Sequence, residues 1–176
     1  GPENIFVFYK GDSSLSSFHF AERNAAFLEE LDPEVERETA AARLAERRGM
    51  TGEAAASLVA FLRSQKDSTG TGLPHRHRVL VERTSMPGAG DDLAEVVLHA
   101  PFGGAVTLPL ALALKARLRG TGFEAEIYAD NATAVFLLPG TDAKSVDFVS
   151  LLRGLASENV ERLLLSQLPE SGFFGA

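Results

Sequence analysis

Two short stretches carry side chains whose types and spacing suit ligand binding. Tyr9-Lys10 closes an apolar run, residues 5–9, just before the turn signal Gly11-Asp12. An aromatic face beside an ammonium group can stack on a nucleobase and contact its phosphate. The second stretch is His75-Arg76-His77-Arg78. Alternate residues of an extended backbone share a face, so both arginines would project together toward phosphates. A solvated strand start explains the same pattern.

Metal binding and catalysis find less support in these residue types. Both histidines of the second stretch would share a face, but the chain has no cysteine and no acidic residue lies beside them in sequence. We therefore expect no metal. The segment 139–145 imitates a phosphate-binding loop but lacks its second glycine, so we expect no ATP hydrolysis by this chain. We interpret His19 and His99 as structural, and we expect no catalytic residue and no cofactor in this chain.

Composition limits the class of protein. The chain has 176 residues, 45% of them hydrophobic, with 17 basic and 24 acidic side chains and a net charge of −7. This is typical of a folded domain, and the acidic balance argues against a free-standing nucleic-acid binder. No apolar run reaches the ~18 residues of a membrane span, and no signal peptide is evident. We expect a cytoplasmic protein with no membrane partner, and we interpret residues 1–2 as a protease scar.

The periodicity predicts an α+β fold, with a strand and three helices first and a sheet with packed helices second. Residues 3–176 would form one domain with subdomains at 3–66 and 75–176, joined by the flexible segment 67–74. The predicted helices are 18–31, one begun by Asp32-Pro33 and closed by Gly49, one capped by Thr51, one opening at Thr107 to Pro109, and two capped by Asp142 and Ser157. The predicted strands are 5–9, 78–82, 95–100, 124–129 and 133–138.

Several segments, in order, resemble one family. The run Phe8-Tyr9-Lys10-Gly11-Asp12, followed by a helix ending at Leu31, resembles the start of the C-terminal accessory region of Lhr-type large helicases, which typically reads Pro-Phe-Trp-x-Gly-Asp/Glu. The similarity continues through four further features of that family: a helix that ends in Gln, a Pro, a strand that ends in Glu, and a Pro-Phe-Gly stretch. It extends to the segment just before the family's Arg-Phe-Arg-Glu motif. The corresponding residues here are 62–65, 73–74, 79–82, 97–104, 109–114 and 168–176.

The resemblance implies a piece of a superfamily 2 ATP-dependent DNA helicase. Its partners would be single-stranded DNA and the winged-helix and RecA-like domains of the same parent chain. ATP and Mg²⁺ would belong to those RecA-like domains. The DNA-contacting residues would be Tyr9, Lys10, Gln65, Lys66, Arg76 and Arg78.

The sequence also departs from the family pattern. Tyr9 and Leu110 stand where the family has tryptophan, Thr107 replaces a histidine, and the chain contains no tryptophan. Tyrosine still stacks on a base, at ~1–3 kcal/mol for such contacts. The alternative function is a structural or protein-interaction module that braces the motor or recruits a partner without touching DNA.

Overall fold

The structure, a computed structural model, describes residues 16–84, 93–139, 145–155 and 157–167. These residues form an α+β fold, which confirms the predicted class. The helices are α1 Phe18–Leu31, α2 Ala40–Arg48, α3 Gly52–Thr69, α4 Gly104–Gly120, α5 Phe148–Arg153 and α6 Ser157–Gln167. The strands are β1 Leu80–Thr84, β2 Leu93–His99, β3 Glu126–Ala129 and β4 Thr133–Pro139. Within these described ranges, no helix has the length and apolar character needed to cross a membrane.

The first three helices pack around one group of buried apolar side chains. Ser17 and Thr51 cap α1 and α3, each accepting a hydrogen bond from a backbone N–H three residues ahead. Gly49 ends α2 in the left-handed conformation, with φ of 63°. The buried group is Leu31, Val35, Ala40, Leu44, Ala55, Val59, Leu62 and Leu73. Leu73 therefore fixes the segment that follows α3 against the helices.

The four strands form one antiparallel sheet in the order β1-β2-β4-β3. Burial alternates along β2 and β4, as expected for a sheet with one covered face. That face packs against α4 and α5, where Phe136 meets Phe148 edge to face with ring centroids 5.1 Å apart. A second core results, of which Leu98, Leu114, Leu118 and Leu138 are fully buried members.

The turn between β3 and β4 joins the start of α4 to Ser16, two residues before α1. The Asn131 Oδ1 atom accepts hydrogen bonds from the backbone N–H groups of Ser16, at 2.7 Å, and Gly104, at 3.0 Å. Gly103 donates its N–H to the Asn131 carbonyl. Thr107, fully buried, donates its hydroxyl to the Ala100 carbonyl. The polar groups at this helix start are thereby paired inside the protein.

The prediction that Asp32-Pro33 opens the second helix is wrong. Asp32 instead ends α1, residues 32–39 form turns, and α2 begins only at Ala40. The reason is that the Asp32 carboxylate accepts long-range hydrogen bonds from Leu73 and Arg78, so it does not cap a following helix.

Other predicted boundaries shift by a few residues. β1 starts at Leu80 rather than at position 78, because Arg78 exchanges backbone hydrogen bonds with His75 in a tight turn. Asp147, not the predicted Asp142, caps α5, and α6 begins at Ser157 itself. Asp142 and the predicted strand 5–9 lie outside the described residues, and the subdomain boundary stays a prediction.

Candidate nucleic-acid interface

Four of the six predicted DNA-contacting residues lie in α3 and in the segment that follows it. Gln65 and Lys66 belong to the last turns of α3, and Arg76 and Arg78 follow in the segment that folds back from α3 toward β1. Tyr9 and Lys10 lie outside the described residues. The fold therefore brings together side chains from two of the three sequence segments that were predicted to share a site.

Asp32 is the centre of this region. Its Oδ1 atom accepts the Leu73 backbone N–H at 2.8 Å and lies 3.3 Å from the Lys66 ammonium, while Oδ2 accepts from the Arg78 guanidinium. Lys66 also donates to the Asp32 carbonyl at 2.8 Å. Gly72 leaves room for this pairing, because a Cβ there would overlap the Arg78 guanidinium. The positive charges of Lys66 and Arg78 are thus already paired within the domain.

Glu29, one turn earlier on α1, pairs with the next two residues of the folded-back segment. Arg76 Nε donates to Glu29 Oε2, and His77 Nδ1 lies 2.8 Å from Oε1. The His77 backbone N–H donates to His75 Nδ1 at 3.1 Å. Arg76 remains about half exposed. Arg76 is consequently both ion-paired and accessible to a ligand in solvent.

The two carboxylates are held in their charged form. Hydrogen bonds from His77 and then Arg76 lower the pKa of Glu29. Burial raises the pKa of Asp32, but hydrogen bonds from Leu73 and Arg78 and the nearby Lys66 charge outweigh it, so the pKa of Asp32 is lowered overall. Both acids therefore stay ionised at neutral pH and compete with any phosphate for the arginines.

Gln65 is exposed and lines an apolar cavity. The cavity has a volume of about 140 Å³ and lies between α3 and the beginning of the sheet. Phe61, one turn before Gln65 on α3, lines it and is 58% exposed. His99 lines the far side, with Nε2 3.0 Å from Glu82 Oε2. The side chain that the resemblance singled out is thus accessible beside an aromatic ring.

Comparison with known proteins supports the resemblance. The model of the DEAD/H associated family matches residues 73–176, more than half of the chain. The chain belongs to the DEAD/H associated family. No curated protein matches its sequence.

A solved structure extends the similarity of this DEAD/H associated chain beyond the matched residues. The helicase Lhr of Mycobacterium smegmatis, solved with ssDNA and AMP-PNP, is 26% identical with a TM-score of 0.71. The alignment covers 95% of this chain and 20% of the helicase chain. The chain therefore has the fold of a helicase-associated domain of Lhr type and corresponds to about one fifth of that relative.

Sequence reasoning missed the acidic partners of the predicted cations. Glu29 and Asp32 lie more than 40 positions before Arg76 and Arg78, and nothing in the spacing links them. The sequence predicts Asp32 as a helix cap, and that role alone explains an acidic residue before proline. Nothing in the pattern therefore indicates a distant partner. Only the packing of α1 against the folded-back segment brings the charges together.

Proposed function

We propose that this chain is the accessory domain of an Lhr-like ATP-dependent DNA helicase and that it engages single-stranded DNA. The observation that carries the proposal is the match to the Lhr helicase solved with ssDNA, because it extends over 95% of the chain. ATP and Mg²⁺ would bind RecA-like domains elsewhere in the parent chain, and the domain itself would be inactive as an enzyme. The winged-helix and RecA-like domains would be its intramolecular partners, and the parent would act in the cytoplasm.

The proposed DNA contacts fall to side chains of three sequence segments. Tyr9 would stack on a base, and Lys10 and Arg76 would contact phosphates. Gln65, exposed beside Phe61, would contact a base or the backbone. Lys66 and Arg78 would reach phosphate by exchanging their ion pairs with Asp32, as Arg76 would exchange its pair with Glu29, and the pairs with Asp32 would also hold the folded-back segment in place.

Tyr9→Ala in the parent helicase tests the stacking contact. Losing a stacked base at ~1–3 kcal/mol predicts an affinity for single-stranded DNA that falls about 5- to 150-fold, with a matching loss of DNA-stimulated ATPase. Tyr128→Ala is the matched control, since Tyr128 is the other tyrosine of the chain and is exposed on β3. Equal affinities for both variants would remove Tyr9 from the site.

The ion pairs favour bracing as a second candidate function. Lys66, Arg76 and Arg78 all pair with α1 or the residues next to it, which is what a rigid brace between elements requires. Glu29→Gln separates the two functions. If Arg76 contacts phosphate, Glu29→Gln weakens the competing ion pair and should raise the affinity for DNA. Glu53→Gln, which removes the same charge at the exposed start of α3, should raise that affinity less. A domain that only braces the motor predicts that both changes have the same small effect on DNA affinity.

A further inference from the structure

We propose that Glu29, His75 and His77 form a binding site for a divalent transition-metal ion of the zinc class. Each of the three side chains offers one ligand atom, and these atoms lie within 4.8 Å of one another. The chain was expected to hold no metal because no acidic residue neighbours the histidines in sequence. The fold supplies that acid from α1.

Ligand chemistry selects the class of ion. Two imidazole nitrogens and one carboxylate oxygen suit Zn²⁺, Co²⁺ or Ni²⁺, whereas Mg²⁺ and Ca²⁺ prefer all-oxygen sites. Ligands of a tetrahedral Zn²⁺ at ~2.0–2.1 Å lie about 3.3 Å apart. Glu29 Oε1 and His77 Nδ1, at 2.8 Å, already face each other at this scale. The His75 ligand atom lies within 4.8 Å of the other two and would have to move closer to them on binding, with water completing the coordination.

The surroundings of the three ligands suit coordination. Arg76 binds Glu29 Oε2, which leaves Oε1 directed at His77 and orients the carboxylate as an outer partner of a metal ligand does. His75 is buried, with 8% exposure, and its Nδ1 atom accepts the His77 N–H, so this nitrogen presents a lone pair. Binding would exchange that 3.1 Å hydrogen bond for a coordinate bond, and the proton that His77 Nδ1 donates to Glu29 would move to Nε2 so that Nδ1 is free to ligate. His77 is 68% exposed, which gives an ion a path from solvent.

A bound ion would join α1 to the segment that follows α3 by direct bonds. These two parts of the chain are also joined by the Arg76–Glu29 and Arg78–Asp32 ion pairs, by the Leu73 hydrogen bond to Asp32 and by the buried Leu73 side chain. The site is independent of DNA and stands whether or not the proposed nucleic-acid contact exists.

Calorimetric titration and thermal unfolding of this chain with Zn²⁺ test the site, with Mg²⁺ as the ion that should not bind. We expect one Zn²⁺ per chain and a rise in Tm of about 5 °C or more at a hundredfold excess over Kd. His77→Ala and Glu29→Gln should each weaken binding at least about tenfold. His19→Ala is the control, because His19 is exposed on α1 and outside the site.

Three results would overturn the site: no Zn²⁺ binding at millimolar concentration, binding unchanged in either the His77 or the Glu29 variant, or an equal loss in the His19 variant. His77 is exposed and Glu29→Gln keeps the side-chain shape, so both variants should fold. Co²⁺ absorption gives a second readout that does not depend on stability. We expect visible d–d bands in the wild type that disappear in His77→Ala, and their persistence would contradict the assignment.

Discussion

Asp32 Oδ1 accepts a 2.8 Å hydrogen bond from the backbone N–H of Leu73, which lies 41 positions further along the chain. The same carboxylate binds Lys66 and Arg78. One side chain at the end of α1 therefore fixes both the last turn of α3 and the segment that leads into the sheet. The proposed interface depends on this arrangement because Arg76 lies within that segment.

Replacing this carboxylate should destabilise the domain. Asp32→Asn keeps the size of the side chain but removes the charge that Lys66 and Arg78 share, and the Asp32 side chain is only 14% exposed. We expect a loss of about 2 kcal/mol in the free energy of unfolding, measured by urea denaturation at pH 7. Asp67→Asn, on the exposed side of α3, should change it by less than about 0.5 kcal/mol. Equal values for both variants would contradict the central place given to Asp32.

The contribution of Asp32 should depend on pH in one direction. Because its pKa is lowered in the folded state, its stabilising effect is complete above the unfolded pKa of about 3.9 and is lost as the pH falls through the folded value. The difference in unfolding free energy between wild type and Asp32→Asn should be constant from pH 7 to pH 5 and shrink below about pH 4. Glu29, Asp130 and Asp147 also have lowered pKa values. Their effect cancels when the Asp32→Asn variant is compared with the wild type. A difference in unfolding free energy that grew toward acid pH would contradict the expected direction.

Two glycines with positive φ should differ in the cost of adding a side chain. Gly103 has φ of 84° and ψ of 151°, a conformation nearly restricted to glycine, and a Cβ there would lie 3.0 Å from the Ala21 Cβ. Gly122 has φ of 88° with open space around it. We expect Gly103→Ala to cost about 3 kcal/mol and Gly122→Ala about 1 kcal/mol, by chemical denaturation. Similar costs would contradict the extra cost expected at Gly103 from its backbone conformation and the Ala21 contact together.

The fold was largely predictable because its elements carry local signals. Ser17 and Thr51 cap α1 and α3 through short-range bonds that any matching sequence can form, and the alternation in β4 shows directly which face is buried. The prediction that a helix starts at Asp32 is wrong because its carboxylate accepts hydrogen bonds from the distant residues Leu73 and Arg78. The sequence pattern of a capping residue is the same in both situations.

The candidate site was predictable only in part. The sequence identifies the basic residues of the site. Whether they are ion-paired depends on Glu29 and Asp32, and nothing in the sequence spacing links these two to residues 76–78. The same reason concealed the His-His-Glu cluster, where two ligands are two residues apart and the third lies 48 positions away from His77. Tyr9 rests on its residue type beside Lys10 and on the resemblance, because it lies outside the described residues.

Binding of a fluorescent single-stranded oligonucleotide to this chain, measured by anisotropy from 20 to 200 mM salt, tests the central claim most directly. With Lys10 on a phosphate, and Arg76 and Arg78 on phosphates after exchange of their ion pairs, we expect binding at 20 mM salt that weakens with a log–log slope of about −2, at ~0.7 per phosphate. Arg76→Ala should reduce that slope by about 0.7. Absence of binding at 20 mM salt, or an affinity that does not change with salt, would contradict DNA engagement and leave bracing as the function.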